Sequence, residues 1–172
     1  EGFAMNPFES FDVKTLRESP FSLIGGRWAL LSAGTPDAWN TMTVSWGQLG
    51  VLWNKNVATV YVRPQRYTLG FVEKNDLFSL SFFGPEQHAA LQYCGAHSGR
   101  DGNKAAATGL KPLFDGGAVL FEQAELTLVC RKLYRQQLEP GCFIDPVIDR
   151  QNYHGDYHYM FIGEIMGCYR KN

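Results

Sequence analysis

Residues Asn40–Thr68 read NTMTVSWGQLGVLWNKNVATVYVRPQRYT, and the reading of this stretch decides the fold. It opens as a strand with two unlike faces. Thr41, Thr43 and Ser45 point one way and Met42, Val44 and Trp46 the other, because side chains alternate along extended chain. Gly47 and Gly50 weaken the strand and permit a bulge or the close approach of a ligand to the backbone. Trp53-Asn54-Lys55-Asn56 makes a reversal, Val57–Val62 (VATVYV) returns as a strand, and Pro64 ends it. Arg63 and Arg66 stand on either side of that proline, at the mouth of a short helical pattern over Tyr67–Asn75. A hydroxyl-bearing strand feeding a cationic corner suits a flat polar ring that carries a phosphate.

Working outward, Phe21–Ile24 and Trp28–Ala33 (WALLSA) are strand candidates separated by a Gly25-Gly26 turn, and Gly34–Asp37 turns into the central stretch. Downstream, Leu77–Phe83 alternates with Phe78, Leu80 and Phe82 on one face. Glu86–Tyr93 has helical spacing, with Gly95 as its stop. The polar loop His97–Lys104 leads into an alanine-rich helix that Gly109 ends. Val119–Phe121 is a short strand and Ala124–Tyr134 a long one. Leu138–Tyr153, rich in proline and aspartate, is an excursion without a clear period. Tyr157–Tyr169 is a final strand interrupted at Gly163 and Gly167. Residues 1–20 form a lead-in, helical for a turn at most, and 21–172 a single domain. Met5 is a candidate natural start, which would leave Glu1–Ala4 as an added leader. Six or more strands with a few short helices make a mainly β chain, a barrel of mixed connectivity.

A chain of 172 residues can bury one ordinary core. Its net charge of −1 supplies no global field for nucleic acid or a membrane surface, so any cationic function is local. No apolar run reaches the roughly 18 residues of a membrane span, and the first ten residues lack the pattern of a signal peptide. Four scattered cysteines without CxxC favour reduced thiols in a cytoplasm. His154 and His158 are four apart in extended chain, and Cys94 and His97 are three apart. Neither pair brings the converging ligands a metal needs, so no metal is expected. Neither GxGxxG nor GxxxxGK[ST] is present, so no dedicated nucleotide loop is expected.

The pieces NTMTVSWG, RPQRYT, LSFF, CGAHSGRDGNK and DYHYMFIGEI, in this order across residues 21–169, resemble the flavin reductase-like, FMN-binding split-barrel family that includes flavoredoxin. The resemblance implies a six-stranded, Greek-key-like split β-barrel, a homodimer, and FMN held near the dimer interface. It assigns Asn40, Thr41, Met42, Thr43, Ser45 and Trp46 to the flavin's neighbourhood. Arg63, Arg66, Tyr67 and Thr68 would sit by the phosphate, which forked guanidinium donors match. From the other side come Ser98, Arg100 and Lys104, while His158 in the DYH segment would approach the ring or the substrate opening. Each piece has a plainer reading in isolation: a half-exposed strand with a core tryptophan, solvated arginines on a turn, a solvated loop, a hydrogen-bonded histidine. Cys94 is either turned to the ligand or a small buried thiol. Phe82, Phe83, Tyr67 and Trp53 either wall the ring or meet a second subunit.

The implied activity is transfer of a hydride from NADH or NADPH, bound transiently on the exposed flavin face, with electrons passed on to free flavin or a redox partner protein. The cofactor carries that chemistry, so no catalytic side chain is expected. Two rivals stand beside it: a non-enzymatic FMN-binding electron carrier reduced by a separate protein, and a split-barrel interaction module without cofactor.

Overall fold

The structure, a computed structural model, describes residues 8–172; Met5 and the proposed leader Glu1–Ala4 lie outside the described residues. The strands are β1 (Phe8–Ser10), β2 (Ala29–Thr35), β3 (Ala38–Val44), β4 (Gly47–Leu52), β5 (Lys55–Val62), β6 (Leu77–Phe82), β7 (Pro112–Asp115), β8 (Ala118–Phe121), β9 (Leu126–Gln137) and β10 (Tyr159–Lys171). The helices are α1 (Thr68–Lys74), α2 (His88–Ala96), α3 (Lys104–Thr108) and α4 (Pro146–Asn152). The main sheet runs β3-β2-β6-β9-β10-β5-β4, with β1 added on β10 and β7-β8 as a separate hairpin. All pairings are antiparallel. The two edge strands, β3 and β4, are consecutive in the chain and joined only by Ser45-Trp46. A sheet whose first and last strands are one bent segment has to curl until its edges meet. Counting β3-β4 as that segment leaves a six-stranded split barrel. No helix among the described residues is long and apolar enough to cross a membrane.

Inside the barrel, Phe78, Leu80 and Phe82 of β6 join Leu31, Met42, Val44, Val60 and Phe161 in one buried cluster. The alternate residues of β6 are buried as well. Ser79 donates to the Val119 carbonyl, and the Ser81 and Thr127 hydroxyls lie 3.3 Å apart, because β8 packs over that outer face. Buried hydroxyls need such partners, since an unpaired one costs about 1–3 kcal/mol. The glycine interruptions of β10 fall at register shifts, between Ile162 and Gly163 and between Ile165 and Gly167. A Cβ at Gly163 would stand 2.7 Å from the Phe78 ring, so the strand has glycine where that ring fills the barrel.

Four expectations are corrected. Phe21–Ile24 is not a strand; Ser22–Arg27 forms a π-helical turn that contains both Gly25 and Gly26. Leu23 and Ile24 are buried side by side while Phe21 is 90% exposed, a pattern that alternation cannot produce. Gly95 does not stop α2 but lies within it, where its bare Cα lets the helix approach Thr43, 3.3 Å from the position of a Cβ. The excursion contains α4, capped by the Asp145 carboxylate accepting from the Val147 N–H, with Pro146 at its first turn. The lead-in holds the short helical turn expected of it, at Val13–Thr15, but also contributes β1. The reversal at Trp53-Asn54 is as expected, with φ of 54° and 56°, and Asn103 and Gly109 bound α3.

Candidate functional site

β3 is the spine of the site. Its inward residues Met42 and Val44 pack in the barrel. Its outward hydroxyls are used inside the protein: Ser32 Oγ donates to Thr41 Oγ1 at 2.8 Å, and Thr43 Oγ1 donates to the Leu91 carbonyl of α2. Ser45 and Trp46 lie past the strand's end and are exposed. Trp46 therefore does not share the core face of Met42 and Val44; it is 51% exposed, its ring 5.5 Å from that of His158.

The cations gather at the C-terminal end of α2. Lys104 Nζ donates to the Thr41 carbonyl at 2.8 Å and the Cys94 carbonyl at 2.9 Å, although the residue is only 5% exposed. Arg66 Nη1 donates to the Gly95 carbonyl at 3.0 Å. These last-turn carbonyls carry the negative end of the helix dipole, which favours positive charge beside them. They do not exhaust the donors. An ammonium has three N–H groups and a guanidinium five, so both side chains keep some to spare. Among the described residues no carboxylate lies within ion-pair distance of Lys104, Arg66 or Arg100. Burial, and after it the neighbouring Arg66 charge, pushes the Lys104 ammonium down to about 8; burial also lowers Arg66. Burial raises the Cys94 thiol, which keeps its proton, so Cys94 serves the cations through its carbonyl.

The corner's two arginines diverge. Arg63 pairs with Asp156 at 2.8 Å, donates to the Asn152 carbonyl at 2.9 Å and stands 4.9 Å over the Tyr153 ring. Arg100 donates to the Gln65 carbonyl and lies 4.8 Å over the Tyr67 ring, while Ser98 Oγ accepts from the Arg100 N–H at 3.2 Å. Thr68 is buried and accepts from the Asn40 amide at 3.0 Å, so its hydroxyl holds Asn40 in place.

Three neighbouring cavities follow β3. One of about 510 Å³ is lined by Asn40, Thr41, Tyr67 and Lys104. A second, about 420 Å³, lies between Trp28, Thr43, Ser45, Leu91 and Gly95. The third, about 200 Å³, has Met42, Ser45, Trp46, Tyr61, Arg63 and His158 in its walls. Arg66, Thr68, Ser98 and Arg100 line none of the three, and no one of them joins Thr43, Arg66 and Lys104. What those three share is the second half of α2, residues 91–95. Three participants had no signal in the sequence. The Cys94 and Gly95 carbonyls are backbone groups, and Tyr153 reaches His158 only through the fold of the excursion, its hydroxyl 2.6 Å from His158 Nδ1.

A family profile described as flavin reductase like domain matches residues 21–172. No curated protein matches the chain. Among solved structures, the chain is similar to flavoredoxin from Methanosarcina acetivorans, with 24% identity, a TM-score of 0.66, and coverage of 85% of this chain and 69% of that one. It is also similar to an FMN-binding domain of a flavin reductases-like enzyme from Shewanella baltica, at 18% identity, TM-score 0.69, and 95% and 77% coverage. An NADH:FAD oxidoreductase of Streptomyces globisporus matches at 16% identity, TM-score 0.62, and 83% and 74% coverage. At these identities the likeness speaks for the fold, a mainly β split barrel.

Proposed function

Because this chain belongs to the flavin reductase-like domain family, we propose that it is an FMN-binding oxidoreductase that passes electrons from NADH or NADPH through flavin to an acceptor. One observation carries the reading: Lys104 is buried beside Arg66, and no carboxylate among the described residues pairs with either. A buried ammonium beside a half-buried guanidinium is costly to hold unless an anion completes the pair. A phosphomonoester brings up to about two negative charges and three acceptor oxygens, which fits the unspent donors of both side chains. That chemistry suits FMN, which ends in such a phosphate; a relative handles FAD.

In this reading Lys104 and Arg66 hold the phosphate, with Ser98 and Arg100 close by. Ser45 and the backbone beyond β3 would meet the polar edge of the ring, with Trp46 and His158 at its side. When bound, the flavin supplies the hydride chemistry. The chain binds it, orients it and keeps water from it. The acceptor is free flavin or a redox partner protein, and the compartment a cytoplasm. The protein acts as a homodimer with the site near the interface; Val51, Leu52 and Trp53 at the end of edge strand β4 are exposed, and such apolar edges favour pairing. Light scattering tests this, since a monomer with full FMN occupancy would refute an interface site.

The likeness to a flavoredoxin supports a second reading, an electron carrier reduced by another protein. Anaerobic addition of NADH and then NADPH to the yellow protein separates the two. An oxidoreductase bleaches its flavin band within turnover times, whereas a carrier stays yellow until a reductase is added.

A further inference from the structure

The geometry points to Tyr153 as a positioning residue. We propose that its hydroxyl fixes His158 with the proton on Nε2, so that Nε2–H faces the cavity beside Trp46 as a donor to a carbonyl oxygen on a bound planar ring. The pair is buried, with Tyr153 8% and His158 7% exposed, and the phenolic oxygen lies 2.6 Å from Nδ1. That contact is the phenol's one side-chain partner among the described residues. If Nδ1 carried the proton, it would donate to the phenolic oxygen and leave the phenol's own proton without an acceptor. With Nδ1 accepting, that proton is satisfied.

Among the described residues Nε2 has no hydrogen-bond partner, Nδ1 being the ring nitrogen that is bonded. Yet no buried side-chain nitrogen or oxygen among the described residues lacks one, so Nε2 must open on the space the ring lines. That space is the cavity of about 200 Å³ with Ser45, Trp46, Tyr61 and Arg63 in its walls. The Tyr61 hydroxyl is turned away, donating to Gln48 Oε1 at 2.9 Å. The surroundings keep the imidazole neutral. Burial and then the Arg63 guanidinium lower it to about 4, outweighing the opposite pull of Asp156, while burial keeps the Tyr153 phenol protonated. The excursion after β9 exists, on this view, to deliver Tyr153. α4 ends at it, the Tyr153 N–H bonds to the Asp149 carbonyl, and the rings of Phe143 and Tyr157 pack at 5.8 and 5.0 Å.

The identity of the ring rests on the proposed function. The flavin's pyrimidine edge and the nicotinamide carboxamide both present a carbonyl oxygen. The tautomer does not rest on it, and the test is built on that difference. In flavin-free protein, long-range ¹H–¹⁵N spectra should show His158 as a single Nε2–H form, and Tyr153→Phe should turn it into a mixture of tautomers. A wild-type Nδ1–H form, or a pattern unchanged by the substitution, overturns the proposal. Loss of one neutral hydrogen bond weakens binding by about tenfold. Tyr153→Phe should raise the Kd of FMN by that factor if the flavin accepts, or the KM of NADH with kcat little changed if the nicotinamide does. Neither constant moving refutes the donor role. His158→Gln, which keeps an N–H donor, should retain more affinity than His158→Ala; equal losses also refute it. A protein that bound no flavin would end the cofactor reading and leave the tautomer result to stand by itself.

Discussion

A phosphate arriving beside Lys104 should make the protein take up a proton. The ammonium is held down to about 8 in the folded chain, first by burial and second by Arg66, so near pH 8.5 it is mostly neutral. A dianion at hydrogen-bond distance favours the charged form and returns it toward its ordinary 10.5. The expected uptake per FMN is then about 0.7 proton at pH 8.5 and close to zero at pH 7, where the phosphate, with its second pKa of about 6, gives up as much as Lys104 gains. By the same linkage the Kd of FMN rises about tenfold between pH 7 and 9. Titration calorimetry in two buffers of different ionisation enthalpy reads the proton count directly. Riboflavin, which lacks the phosphate, should show no uptake, and Lys104→Met should abolish it for FMN. Equal uptake with both flavins, or none with either, would refute the placement of the phosphate. The flavin-free protein carries the opposite signature. A lysine lowered in the folded state costs stability wherever it is charged, and the unfolded chain binds more protons between the folded value near 8 and the ordinary value of 10.5. Its stability should therefore rise with pH through that window.

Two further outcomes are expected. Replacing Arg66 and Lys104 together with alanine should weaken FMN binding by about 3 kcal/mol, roughly a hundredfold, since charged hydrogen bonds are worth about 1.5–3 kcal/mol each; riboflavin affinity, measured by the same fluorescence titration, should change far less. Gly163→Ala drives a methyl group to 2.7 Å from the Phe78 ring and 2.9 Å from the Cys130 Cβ, and overpacking of this kind costs about 1–3 kcal/mol. It should lower the urea midpoint by about 0.5–1.5 M.

The barrel was legible where local chemistry and tertiary role agree. β6 alternates because one of its faces fills the barrel. The Trp53-Asn54 reversal reads as a turn because such a tight return needs left-handed residues and asparagine tolerates them. The π-helical turn at Ser22–Arg27 was not legible, since Phe21, Leu23 and Ile24 before two glycines suit a strand as well. α4 had its signal in Asp145-Pro146, a cap followed by a first-turn proline, but the polar composition around it masked the helix. β7 begins at Pro112, a residue that argues against a strand, and among the described strands it pairs with β8 alone.

The site divides in the same way. Residue types along Asn40–Trp46 and the arginine corner were readable, and the cavities do follow β3. Which cations would stay without a carboxylate was not. Arg63 and Arg66 look alike in RPQR, yet Asp156, which claims Arg63, is brought over by the excursion. Lys104 looked like a residue of a solvated loop, and its burial follows from the Thr41 and Cys94 carbonyls that receive it. Backbone acceptors have no residue type to recognise.

The most direct test of the account is an equilibrium titration of flavin-free wild-type protein with FMN and, separately, riboflavin at pH 7. If the Lys104 and Arg66 pair exists to receive a phosphate, FMN should bind about a hundredfold more tightly. Equal affinities, or no affinity for either flavin, would contradict it.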